Sequence, residues 1–105
     1  MIKVLLERKK CGIHATGLFD EETRALIVLA GSTVSQDIKH TEKFRGAKSI
    51  EASRKDTVID GKVITDVKFK SASTAANYVT GGSTNGLVAW KTEEGNTIKD
   101  YLANK

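Results

Sequence analysis

Proline is missing from the chain altogether, and cysteine occurs once, as Cys11. A lone thiol cannot close an intrachain disulfide, so a disulfide-stapled secreted scaffold is excluded. Long apolar runs are missing too. Nothing in the chain approaches the roughly 18 residues of a membrane-spanning helix. Met1 to Arg8 has neither the apolar region nor the small-residue cleavage site of a secretory signal. A cytoplasmic location is the resulting expectation. Aromatic residues are scarce, six in all, so few rings are available to stack on bases.

What is present is a globular balance: 39% hydrophobic and 29% charged residues in a chain of 105. That fits a single domain over 1–105 with a small core. The net charge of +4 is unevenly placed. Residues 1–10 carry +3, residues 11–38 carry −3 and residues 39–70 carry +4. Residues 71–89 carry no charge, and residues 90–105 balance at zero. A neutral, glycine-rich stretch thus follows a basic one.

The first third reads as antiparallel sheet. Ile2 to Glu7 and Ile13 to Phe19 are strand-like, and Ala25 to Ala30 is a near-continuous apolar run suited to a central strand. The polar turn Asp20-Glu21-Glu22-Thr23 makes the last two a hairpin. Helix-forming residues over 41–57, with Phe44, Ala47 and Ile50 at spacing three, predict a helix. Asp60-Gly61 either stops that helix or turns a hairpin between Val58-Ile59 and Val63-Ile64. The helix stop is preferred, because the charged segment before it has little strand character.

Val63 to Phe69 alternates as a strand, with Lys68 and Lys70 facing solvent. Ser71 has the chemistry of an N-cap, and Ala72 to Thr80 follows as a helix with Ala72, Ala75, Ala76 and Val79 on its apolar face. Gly81-Gly82 ends it. Asn85-Gly86 predicts a tight turn and Leu87 to Lys91 a strand. Ile98 to Leu102 closes the chain as a strand or helical turn. The expected fold is a small α+β domain: an antiparallel sheet of four to six strands with two short helices packed on it.

Two groups of residues are candidates for binding. Ser71, Ser73, Ser83, Thr84 and Asn85 offer neutral donors and acceptors, and asparagine can pair with the edge of adenine. Structural roles compete for the same residues: Ser71 as a cap, Asn85-Gly86 as a turn, Trp90 as core. Arg8, Lys9, Lys10, Lys68, Lys70 and Lys91 form a phosphate-binding patch if the N-terminal strand and the 63–70 strand share a sheet. The competing reading is an ordinary solvated surface.

Cys11 and His14 are metal-ligand types, but a structural zinc takes four ligands and His40 is the only other His or Cys. Neither Cys11 nor Ser32 has the orienting motif of a catalytic nucleophile. The glycine-rich 81–86 lacks the Gly-Lys-Ser/Thr of a phosphate loop. The expectation is therefore no enzyme, no catalytic residue, no metal and no cofactor.

Phe69-Lys70-Ser71-Ala72-Ser73-Thr74-Ala75-Ala76, then Gly81, Asn85-Gly86, Trp90-Lys91 and Gly95, follow a pattern F-x-S-P-S-x-A-A, G, NG, WK, G. This resembles the small domain of unknown function found near the C-terminus of some GIY-YIG nuclease-family proteins. It is similar also to the restriction-enzyme adenine-methylase-associated (RAMA) domain. Ala15-Thr16-Gly17 and Leu26 to Ser32 resemble that family's A-x-G and V-L-x-G-S segments. Two departures are the alanine at 72, where the pattern has proline, and Leu87, where an aromatic is common. The resemblance implies a non-catalytic accessory domain that binds nucleic acid, DNA first and modified bases among its targets, beside a fused or associated nuclease or methylase. On the residues alone, a protein-interaction or oligomerisation module stands as the alternative.

Overall fold

A computed structural model describes residues 1–35 and 47–104. His40, Phe44 and the first part of the helix expected over 41–57 lie outside the described residues. The elements run β1 (Ile2–Arg8), a 3-10 turn (Lys9–Cys11), β2 (Ile13–Phe19), β3 (Leu26–Val28), α1 (Ala47–Lys55), β4 (Val58–Ile59) and β5 (Lys62–Val63). Then come β6 (Val67–Phe69), α2 (Ala72–Thr80), α3 (Gly86–Ala89), β7 (Lys91–Thr92) and α4 (Ile98–Ala103). The main sheet has five antiparallel strands in the order β6-β3-β2-β1-β7, and β4 and β5 form a second, two-stranded sheet. This is the α+β fold that the sequence implies, with four short helices where two were expected.

Alternation along the strands decides which face is covered. Val4 and Leu6 of β1, Ile13, Ala15 and Phe19 of β2, Leu26 and Val28 of β3 and Phe69 of β6 are all buried. Helix α2 packs on this face, against β2, β3 and β6. Its Ala72, Ala75 and Ala76 are buried, and such short side chains let helix and sheet approach closely. Trp90, Tyr78 and Ile98 complete the core.

Helix α2 is closed at both ends as its sequence requires. Ser71 Oγ accepts from Thr74 N at 3.2 Å, and Gly81, left-handed at φ 75°, donates its N–H to Asn77 O. The last-turn carbonyls are orphaned by the helix itself. Arg54 of α1 supplies their donors: Nε to Tyr78 O at 2.9 Å, and Nη2 to Tyr78 O at 2.6 Å and Val79 O at 3.2 Å. Nη1 reaches Ser35 O at 2.9 Å. A buried cation is well placed at the negative end of a helix. Burial lowers the pKa of Arg54 from its ordinary value.

Three expectations are corrected. Helix α1 ends at Lys55, and Asp60-Gly61 is the two-residue turn between β4 and β5, with φ of 52° and 76°. Both central residues in the left-handed region define a hairpin turn. The single strand expected over 63–69 is divided. Val63 N bonds Ser32 O, Asp66 Oδ1 turns aside to accept from Ala30 N, and only Val67–Phe69 joins the main sheet. The strand expected over 87–91 is mostly helix. Asn85 Oδ1 accepts from Leu87 N at 3.1 Å, so Asn-Gly starts α3 instead of reversing a hairpin. Ile98–Ala103 takes the helical option, capped by Thr97.

Candidate nucleic-acid interface

Directly opposed residues in antiparallel strands share a face. The register therefore identifies every strand residue on the uncovered side. Lys68 opposes Ile27, Ile27 opposes Leu18, and Leu18 opposes Lys3. One step along, Thr16 opposes Leu5 and Leu5 opposes Lys91. His14 opposes Glu7. Lys3, Lys68 and Lys91 are exposed, while Leu5, Leu18 and Ile27 are half-buried between them. The open face is an aliphatic floor with three lysines around it. Its carboxylate, Glu7, is held by His14 Nδ1 at 3.2 Å.

The six candidate cations Arg8, Lys9, Lys10, Lys68, Lys70 and Lys91 fall into two groups, not one patch. β6 and β7 are the two edges of the sheet. Four strand spacings of about 4.8 Å put Lys68 roughly 19 Å from Lys91. Lys68 and Lys70 border a hollow of about 420 Å³ with Thr23, Ala25 and Phe69. At the other edge, Arg8, Asn85 and Lys91 line a concavity of about 350 Å³ with Glu7, Thr84, Val88 and Ala89. Lys9 and Lys91 line the adjoining hollow with Leu5 and two carboxylates, Glu7 and Glu93. Lys10 is exposed beside Lys9 in the 3-10 turn. The condition set for a single patch, a shared sheet, is met, yet the patch does not form. Standing on opposite edges is what separates the lysines.

The serines take part in the fold. Ser71 caps α2, and its hydroxyl also meets Thr74 Oγ1 at 3.0 Å. Ser73 Oγ accepts from Gly86 N at 3.0 Å. Asn85 caps α3 with Oδ1, and the residue is exposed beside Arg8 and Lys91. Sequence reasoning missed Glu7, Val88 and the placement of Lys3. The alternation of Lys3, Leu5 and Glu7 along β1 was the available signal for the last.

Gly86 fixes α3 at its root. A Cβ there would stand 2.1 Å from Ala72 C and O and 2.4 Å from Ser73 N, so the backbone of α3 touches the backbone of α2. Trp90 Nε1 donates to Ala72 O at 3.1 Å on the core side. The ring is fully buried. Phe19, Phe69 and Tyr78 are likewise in the core, and among the described strand residues of the open face none is Phe, Tyr or Trp, while His14 carries an imidazole ring. Among the described residues, no three His, Cys, Asp or Glu side chains are grouped to hold a metal ion. No helix of the described residues is long and apolar enough to cross a membrane.

Fold and site together define a two-layer α+β domain with a cationic, open sheet face and a polar concavity at one edge. Residues 5–102 match the family DUF4357, described as a domain of unknown function, and the chain belongs to that family. No curated protein and no solved structure matches it.

Proposed function

We propose that the domain is a non-catalytic nucleic-acid-binding module that takes the DNA backbone at the Arg8–Lys10 and Lys91 edge. The convergence of Arg8, Asn85 and Lys91 on one concavity, from three separate segments, carries this reading. Cations there neutralise phosphates, and Asn85 stands beside them with an amide suited to a base edge. Lys68 and Lys70 make a second, weaker contact point across the open face. The likeness to domains beside GIY-YIG nucleases, and to the RAMA domain, supports a restriction or nuclease setting in the cytoplasm. In that setting the domain would direct a fused or associated nuclease or methylase to its DNA, modified bases included.

The test is fluorescence anisotropy with short labelled duplex DNA at about 50 and 200 mM salt. Binding at the lower salt that weakens at the higher, and falls with Lys91→Glu more than with Lys68→Glu, is expected. No binding at about 50 mM salt, or binding indifferent to both changes, refutes the reading.

One observation favours a second reading, a protein-interaction or oligomerisation module. Ile59 and Ile64 on the β4–β5 hairpin are 59% and 51% exposed. Ile59 opposes Lys62, and Ile64 N bonds Thr57 O, so both isoleucines share the outer face. A dimer by light scattering that Ile59→Ser dissociates, without nucleic acid co-purifying, would decide for it.

A further inference from the structure

We infer that α3 is an apolar wedge for duplex DNA, with Leu87 and Val88 entering the minor groove and unstacking a base step. The inference rests on the nucleic-acid reading above and names its mode. Leu87 and Val88 are 36% and 48% exposed, adjacent, and carried on a helix of only four residues. That helix cannot easily give way. Gly86 abuts the Ala72 backbone, its N–H is held by Ser73 Oγ, and Asn85 Oδ1 caps Leu87 N. Two aliphatic side chains thus point outward from a fixed base.

Their surroundings specify the occupant. Val88 borders the same concavity as Arg8 and Lys91, so two cations stand on one side of the apolar tip. Glu7 also borders it, and its exposed carboxylate lies 3.2 Å from His14 Nδ1. An aliphatic tip beside a cationic concavity matches what a kinked duplex offers: an opened base step next to a phosphate strand. An acidic protein would meet the cations but leave the rigid apolar tip without its matching slot.

The probes are a short fluorescein-labelled duplex and the same duplex with one mismatched pair. Energy transfer between dyes on its two ends reports bending. Unstacking costs least at a mismatch, so the wild-type protein is expected to prefer the mismatched duplex several-fold and to bend it. Changing Leu87→Ala with Val88→Ala is expected to abolish the preference and the bend and to weaken matched-duplex binding about tenfold. The dependence on salt stays, because every cation stays. Lys91→Gln is expected to do the reverse, reducing the salt dependence and keeping the mismatch preference. Both aliphatic residues are exposed, so an unchanged melting temperature is expected of the double variant.

Wild-type binding with normal salt dependence but no mismatch preference or bend overturns the wedge and leaves the nucleic-acid reading standing. So does a double variant that binds as the wild type does. Failure of the wild type to bind at about 50 mM salt removes both. A double variant whose only change is loss of self-association shows that a second copy covers the pair, and that too overturns the wedge.

Discussion

Replacing Gly86 by alanine separates two arguments that give opposite signs. Gly86 opens the helix α3, and its φ lies outside the left-handed region. Alanine is conformationally acceptable there. On helix propensity and unfolded-state entropy alone, the change stabilises by about 0.5–1 kcal/mol. The tertiary contact says otherwise. The new Cβ would lie 2.1 Å from Ala72 C and O. Both are main-chain atoms of α2's first residue, so no rotamer change relieves the clash. α3 must lift by more than 1 Å to reach an ordinary carbon contact of about 3.5 Å. Lifting stretches the bonds from Gly86 N to Ser73 Oγ and from Trp90 Nε1 to Ala72 O, now 3.0 and 3.1 Å. Each is worth about 1 kcal/mol net, and overpacking adds about 1–3 kcal/mol. Set against the opposing gain, the expected result is a net loss of about 2–4 kcal/mol, a large share of a small domain's stability. Urea denaturation followed by tryptophan fluorescence measures it, with Trp90 as the single tryptophan. Equal or greater stability of Gly86→Ala would refute the packing of α3 on α2.

Arg54→Met keeps the apolar stem and removes the guanidinium donors to Tyr78 O, Val79 O and Ser35 O, while Val79 O keeps its bond from Ser35 N at 2.8 Å. Losing those bonds, with Tyr78 O left short of its donors, is expected to cost about 2–4 kcal/mol in the same urea assay. Tyr78 has its hydroxyl buried, which raises its pKa above the ordinary 10.0 against the opposing hydrogen bond from Thr57 and the nearby Arg54 charge. Its contribution is thus complete below pH 10 and is lost as pH rises through the elevated folded value. Tyr78→Phe is expected to remove that part of the alkaline decline, and to cost about 1 kcal/mol near neutrality through the lost 2.6 Å bond to Thr57 Oγ1. Melting curves between pH 8 and about 11 check both. If Arg8, Lys9, Lys10 and Lys91 each meet a phosphate, log K should fall with log salt at a slope of about −3.6, roughly 150-fold between 50 and 200 mM. Lys91→Gln should reduce that slope by about 0.9.

Local chemistry made several elements legible in advance. Ile13–Phe19 and Ala72–Thr80 occur with the expected bounds, because alternation and a serine cap are signals carried within the segment. The β2–β3 hairpin follows for the same reason: Asp20 Oδ1 accepts from Glu22 N, closing the polar turn. Asn85-Gly86 and Asp60-Gly61 show the limit of such signals. Both dipeptides suit a hairpin turn or a helix end. Asp60-Gly61 became a turn because β4 and β5 had partners to pair with. Asn85-Gly86 became a helix start because Gly86 had to meet the α2 backbone and Trp90 had to reach the core. Neither choice is encoded within four residues.

The candidate site divides in the same way. Residue types and their charges are properties of the chain, so the sequence by itself determined that Arg8, Lys9, Lys10, Lys68, Lys70 and Lys91 would be mostly exposed cations, and that Ser71 would cap a helix. Strand order is a property of contacts between segments far apart in the chain. Only the tertiary structure decided that β6 and β7 take opposite edges, which parts Lys68 from Lys91 and joins Lys91 to Arg8 and Asn85. The physical reason is burial. The sheet covers one apolar face with α2, and the chain after α2 crosses by way of α3 to pair beside β1, the edge left open by the β1–β2–β3 meander.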